Sequence, residues 1–356
     1  MSGLKFDAEL LETEFKELYR QLSTCADTLA KISAVEVAPT QSESIFHYDK
    51  LTLNFYPGDR SVSERPSTPL LICYALVNRW YMLDLDAGRS LIQRLNALGV
   101  DIYVIDWGYP DRTDRFTDLD DYLNDYLLSC VEQTCQHAGV EQINLLGVCQ
   151  GGTLSLCFTA LYPARIKNLI TMVTPVDFHT PENILSRLVR NIDVDLAVNT
   201  FGNIPGSMLN QVFRSLSPMK LGPQKTLDLP KQLQTPEQAE AFLRMERWIN
   251  DSPDLAGSAY REFVQWFFQQ NQLVANQLQI GGEAVRLADI RCPIFNIYGT
   301  QDHLVPPCAS KALGSLVGTT DYTEQAIEAG HIGVFVGNRA RKTLPLAISQ
   351  WLYTRD

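Results

Sequence analysis

From residue 4 to about residue 32, apolar side chains return at alternating steps of four and three: Leu11, Phe15, Leu18, Leu22, Cys25, Leu29 and Ile32. A helix places positions so spaced on one seam, with Glu14, Lys16, Glu17 and Arg20 facing elsewhere. The seam suits a partner helix or the chain's own domain, and so few heptads favour self-packing. After a polar linker, Val37 to Glu43, alternation takes over. Leu51, Leu53 and Phe55 predict an outer antiparallel strand closed by Pro57-Gly58-Asp59. Continuous apolar runs then alternate with helical patterns. Buried strands are expected at Leu70 to Ala75, Ile102 to Asp106, Ile143 to Leu146 and Leu169 to Val173. Helices are expected from about Ala87 to Leu98, about Leu119 to His137, and onward from the third of these strands to about Leu161. Repeated strand–helix units predict a mostly parallel sheet covered on both faces.

The rhythm breaks between His179 and about Asp289, where no strand pattern is clear. Turn signals stand at Asn203-Ile204-Pro205-Gly206 and Leu221-Gly222-Pro223. Thr235-Pro236-Glu237-Gln238 carries a helix-start signature with proline at the first helical position, opening a helix to about Trp248. A second helix carries Phe263, Trp266, Phe267 and Phe268, read as the segment's own core ahead of substrate contacts. The strand pattern resumes at Pro293 to Tyr298. The chain therefore divides into an N-terminal helix and linker (1–44), a sheet domain (45–178 and 286–356) and a helical cap inserted into it (179–285).

The net charge of −11 weighs against nucleic acid and anionic membranes as partners. No apolar run approaches a membrane span, and no secretory signal is visible at the start. Eight cysteines without zinc-type spacing imply reduced thiols in a cytoplasm and no metal site. Most of them are then small core residues.

One cysteine stands apart. Strand Ile143 to Leu146 runs into Gly147-Val148-Cys149-Gln150-Gly151-Gly152 and then a helix pattern. In a G-x-nucleophile-x-G turn, small flanking residues let the chain fold tightly enough to present the central side chain at the sheet's edge. Cys149 is the candidate nucleophile, and the Gln150 amide the first oxyanion donor. The second donor belongs in the loop after strand 70–75, where Val77 is the candidate. Two later strand ends supply partners. Gly299-Thr300-Gln301-Asp302-His303 places Asp302 past one, and Gly330-His331-Ile332-Gly333 places His331 past the other. His331 would draw off the thiol proton and Asp302 would hold the imidazole in the required tautomer. His303 is either a second base or, preferably, a loop hydrogen-bonding residue. Asp177 is the alternative acid. His47 and His137 are read as structural.

Nucleophile, acid, histidine is the chain order of α/β-hydrolases, which predicts that fold: a mostly parallel central sheet flanked by helices, with a helical cap. A thiol suits acyl transfer from one thioester to an acceptor, because the acyl group stays activated on sulfur if water is excluded. GVCQGG, YGTQDHLVPP, GHIGVFVG, Asn78-Arg79-Trp80-Tyr81-Met82-Leu83-Asp84-Leu85 and Asp106-Trp107-Gly108-Tyr109-Pro110 together resemble the polyhydroxyalkanoate synthases, specifically the catalytic subunit of the two-component class III type. The resemblance spans roughly residue 45 to the end. It implies polymerisation of (R)-3-hydroxyacyl-CoA, 3-hydroxybutyryl-CoA foremost, with release of CoA, and no cofactor. It implies Cys149 as carrier of the growing polyester chain, His331 as general base, and Asp302 either orienting His331 or activating the substrate hydroxyl. It further implies a second, noncatalytic subunit, self-association as a homo-oligomer, and a cytoplasmic polymer granule surface. The competing readings are a cysteine esterase, thioesterase or polyester hydrolase on the same scaffold, and a nonenzymatic granule coat.

Overall fold

The computed structural model describes residues 8–32, 34–63, 65–216, 228–230 and 232–356, with the side chains of 8–11 left aside. Its centre is a sheet of eight strands: β1 (Glu43–Tyr48), β2 (Leu51–Tyr56), β3 (Leu70–Cys73), β4 (Ile102–Asp106), β5 (Ile143–Val148), β6 (Ile166–Met172), β7 (Ile294–Gly299) and β8 (Tyr322–Ile327). Their spatial order is β1-β2-β4-β3-β5-β6-β7-β8. β2 runs antiparallel to both β1 and β4, and every other pairing is parallel. β2 is therefore not the outermost strand. β1 takes the edge, and only its neighbour carries the buried alternation that was legible.

Successive residues of a strand face opposite sides of a sheet, and the two faces here are separately covered. Leu71, Cys73 and Leu145 join a cluster with Cys130 and Val131 of α3 (Leu128–Ala138) and Leu154 and Phe158 of α4 (Gln150–Leu161). Leu70, Ile72 and Leu146 join another with Ile92 and Leu95 of α2 (Leu91–Ala97) and Ile348 and Leu352 of the C-terminal helix, Ala340–Tyr353. That double covering explains why the strands read as unbroken apolar runs. The strands expected at 70–75, 102–106, 143–146, 169–173 and 293–298 start and stop within three residues of those observed, but α2 begins later than expected because Asp84–Asp86 and Arg89–Ser90 first make a short antiparallel ribbon.

Between β6 and β7 lie α5 (Ile184–Val189), α6 (Val194–Phe201), α7 (Gly206–Ser215), α8 (Pro236–Asn250) and α9 (Gly257–Phe263). The Thr235 side chain caps α8 by accepting from the Gln238 N–H, and Pro236 opens the helix. Contrary to the sequence reading, this stretch does contain strand: Gln279–Ile280 pairs antiparallel with Glu283–Ala284. Two residues a side are too few to show a period. The turn expected at Leu221-Gly222-Pro223 lies outside the described residues.

The N-terminal helix α1 spans Ala8–Leu29, and residues 4–7 of the expected helix lie outside the described residues. Its seam divides. Cys25 is buried with Ile32 against Leu229, Leu233, Ala239 and Phe242, so this end packs on the chain's own α8 region. Phe15, Leu18, Tyr19 and Leu22 are exposed, Tyr19 at 77%.

Candidate active site

β5 ends at Val148 and α4 begins at Gln150, leaving Cys149 alone on the corner between them. Its backbone sits at φ 54° and ψ −122°, a conformation that costs a non-glycine residue strain and persists only when its surroundings enforce it. Here the enforcement comes from the Cys149 N–H donating to the Met172 carbonyl (2.9 Å) and the Gly152 N–H donating to the Cys149 carbonyl (2.9 Å). The glycines are needed for close approach. A Cβ on Gly147 would stand 2.5 Å from the Gly152 Cα, one on Gly151 would strike the Cys73 carbonyl oxygen, and one on Gly152 would strike the Thr174 side chain. Gly151→Ala meets backbone that cannot swing away. It is expected to lower stability by about 2–3 kcal/mol, read as a lower urea midpoint at unchanged slope.

β7 and β8 carry the other two side chains to the same edge. Asp302 and His331 follow them, and His331 Nδ1 lies 2.7 Å from Asp302 Oδ2. The other Asp302 oxygen, Oδ1, accepts from the backbone N–H groups of Leu304 and Val305, both at 2.9 Å. With each oxygen engaged, the carboxylate is fixed as an acceptor and the imidazole must present an N–H to it. That leaves Nε2 for Cys149, whose sulfur is close enough to act on the charge of the ring. Burial pushes the His331 pKa down, but the charges of Asp302 and the Cys149 sulfur outweigh it and raise the value to about 10. The three side chains named from sequence are thus one connected group.

The remaining candidates separate cleanly. Asp177 Oδ1 accepts from the His179 N–H and from Asn271 Nδ2, both at 2.9 Å, so it braces the turn after β6 while Asp302 holds the histidine. His47 on the edge strand bonds Ser44 of the same strand and Thr52 of β2, and His137 bonds the Tyr103 hydroxyl. His303 corrects an expectation: it is exposed, lines the cavity above Cys149, and has no hydrogen-bond partner among the described residues. Neighbouring turn positions do point apart, but here the second points to open space.

The Gln150 and Val77 amides make no hydrogen bond within the described residues, whereas the N–H of Leu76, just before Val77, is taken by Gln150 Oε1 at 3.1 Å. Cys149, Gln150, Val77 and His331 open into one cavity of about 380 Å³. Its walls are largely apolar, formed by Phe178, Val189, Leu209, Phe213, Trp248 and Phe263, all but the first on α5, α7, α8 or α9. Of the aromatic group read as internal core, Phe267 is fully buried, while Phe263 and Phe268 also line the cavity.

Sequence reasoning missed the polar seam that ties these helices to the sheet domain. Asp251, just past α8, accepts from the Tyr81 and Tyr109 hydroxyls at 2.7 Å each. Asn78 donates to Ser252 Oγ at 2.7 Å, and Trp248 Nε1 donates to the Arg79 carbonyl at 2.8 Å. Asn78 also stands at φ 66°. No local pattern announces partners some 140 to 175 residues apart, although Asn78, Arg79, Tyr81 and Tyr109 lie within the matched segments.

Residues 68–338 match the alpha/beta hydrolase fold family. Solved structures agree on that fold alone: the monoacylglycerol lipase of Paleococcus ferrophilus aligns at a TM-score of 0.51 and 15% identity over 86% of this chain and 100% of that one. A thermophilic esterase from Thermogutta terrifontis aligns at 0.51 and 16% over 88% and 99%. The protein is an α/β-hydrolase-fold protein with a cysteine on the corner between β5 and α4. Full-length relatives narrow this further. The poly(3-hydroxyalkanoate) polymerase subunit PhaC of Allochromatium vinosum is 47% identical over 97% of both chains, and that of Thiocystis violacea is 46% identical over 100% of both. The chain belongs to the PhaC family of poly(3-hydroxyalkanoate) polymerase subunits.

Proposed function

We propose that this chain is a polyhydroxyalkanoate synthase of the class III type, an acyltransferase that joins (R)-3-hydroxyacyl-CoA units into polyester through a thioester on Cys149. The observation that carries this reading is a thiol, not a hydroxyl, on the strained corner, beside a histidine held by a carboxylate and facing a largely apolar cavity. The names of the full-length relatives support it.

The Cys149 thiolate attacks the thioester carbonyl, and the Gln150 and Val77 amides stabilise the oxyanion that forms. The carbon–sulfur bond to CoA breaks, the CoA sulfur takes the proton from His331, and the acyl group remains on Cys149. The hydroxyl of the next hydroxyacyl-CoA then gives its proton to His331 and attacks that acyl carbon. An ester bond forms, the bond to Cys149 breaks, and the thiolate returns. Asp302 orients His331 in both steps. Both its oxygens are occupied and it does not line the cavity, which favours orientation over direct activation of the substrate hydroxyl. Every group in this scheme belongs to the protein, so no cofactor is invoked.

We read residues 179–285 as the cap, since its helices wall the cavity, and water kept from the acyl-enzyme leaves the hydroxyl as acceptor. 3-Hydroxybutyryl-CoA is the proposed monomer. The exposed apolar start of α1 and the word subunit in the relatives' names support a second, noncatalytic partner. Self-association and work at a cytoplasmic granule surface belong to the same proposal. Among the described residues no helix is long and apolar enough to cross a membrane. Incubating the chain, alone and with that partner, with 3-hydroxybutyryl-CoA tests the reading: CoA release and turbidity are expected to rise together. Release of CoA with only soluble 3-hydroxybutyrate would identify a thioesterase.

A further inference from the structure

We propose that the Gln150 side chain is a positioning residue for the oxyanion loop, holding the loop after β3 so that the Val77 N–H faces the reacting carbonyl. This deepens the acyl-transfer reading and rests on Cys149 being acylated. Gln150 is buried, at 7% exposure, directly after the nucleophile. Its main-chain N–H opens α4, and its side chain reaches across to the facing loop, where Oε1 accepts from the Leu76 N–H at 3.1 Å. An amide N–H only donates, so this contact dictates which end of the Gln150 amide meets the loop. Three consecutive residues of that loop then have distinct fates. The Leu76 amide is satisfied by Gln150. Asn78 is tied to Ser252 at 2.7 Å and to its left-handed backbone conformation. Val77, between the two anchors, keeps an amide without an acceptor among the described residues and lines the cavity beside Cys149. An unpaired N–H held by fixed neighbours beside a nucleophile is the arrangement that stabilises developing negative charge, since no reorganisation is needed when the charge appears.

One residue thereby couples both halves of the oxyanion hole. Its backbone supplies one donor and its side chain sets the position of the other. The inference goes beyond the amide roles read from sequence, because it assigns work to the carboxamide of the G-x-C-x-G box. It also separates stabilising the oxyanion from forming the thiolate: the hydrogen bond of the brace runs to the Leu76 N–H, not to His331 or Asp302.

The test uses Gln150→Met in the full chain, a change that keeps length and apolar bulk but removes the acceptor. Acylation of Cys149 is followed with a p-nitrophenyl ester, so the readout does not depend on polymer being made. kcat is expected to fall about ten- to hundredfold with KM within about threefold, because the lost interaction acts in the transition state. Hydrogen exchange in the peptide covering 74–79 is expected to speed up. The rate of Cys149 alkylation by iodoacetamide is expected to stay within about twofold, a readout that a general loss of structure would change. Unchanged exchange in the loop, or kcat within about twofold of the parent, overturns the assignment. Gln150→Glu keeps an oxygen on the Leu76 N–H and is expected to keep slow exchange. Fast exchange in folded Gln150→Glu overturns the brace even if Gln150→Met does not fold. Failure of 3-hydroxybutyryl-CoA to polymerise, with these results intact, would revise the substrate and leave the brace standing.

Discussion

Cys149→Ala is expected to abolish CoA release from 3-hydroxybutyryl-CoA, a loss of at least about 10⁴-fold, with the melting temperature essentially unchanged. The reason is specific to the corner. At φ 54° the residue is held by backbone hydrogen bonds to Met172 and from Gly152, none of which needs the side chain. Alanine therefore keeps the turn and loses only the nucleophile. Cys149→Ser is the sharper comparison. A serine hydroxyl does not form a stable ion pair with an imidazolium, so the proton must move during attack, and the oxygen ester that results is a poorer acyl donor than a thioester. Chain growth is expected to fall by more than about 100-fold, while any slow hydrolysis of activated esters persists. Gel analysis of polymer beside CoA release measures both. A serine variant that still makes polymer at the parental rate would show that the thiol is dispensable and undo the argument from cysteine to acyl transfer.

Asp302→Asn is expected to lower acyl transfer by about 10³- to 10⁴-fold, with a change in pH dependence that identifies the cause. Burial alone would depress the His331 pKa, and the Asp302 charge, with the Cys149 sulfur, raises it to about 10. The folded value thus lies above the ordinary 6.5. The proton's contribution to stability is fully present below that ordinary value and is lost as pH rises through about 10. Across pH 7 to 9 the parent keeps His331 protonated beside the sulfur, so alkylation of Cys149 is expected to be nearly flat over that window. With asparagine the charge that opposes burial is gone, His331 is neutral in the window, and alkylation is expected to be slower and to climb with pH. An asparagine variant with the parent's flat profile would mean that Asp302 does not set the charge of His331.

The fold was readable where a pattern repeats over neighbouring residues. Leu70 to Cys73 and Ile143 to Val148 are apolar on both faces because helices cover both sides of the sheet, and that condition writes itself into a continuous run. The elbow was readable because its glycines answer local crowding against Cys73, Tyr74 and Thr174. Asp302 and His331 were readable because a parallel sheet brings strand ends to one edge, so their positions after β7 and β8 sufficed. The seam of α1 was half readable. Its period was correct, but whether Phe15 or Cys25 is covered depends on where α8 lies, which a period does not encode.

By itself the sequence determined the class of sheet, the corner that presents Cys149, and the strand ends that carry Asp302 and His331, since each depends on short spacing or on the end of a strand. Only the tertiary structure decided which carboxylate meets His331, and that among the described residues His303 has no hydrogen-bond partner and the Leu76 amide is taken while the Val77 amide has no acceptor. Those are contacts between segments dozens to hundreds of residues apart, and each turns on ångström distances and on which hydrogen-bonding atom already has a partner. The chemistry at Cys149 needs both: a residue type that the chain order announces, and a surrounding geometry that exists only once the segments have packed.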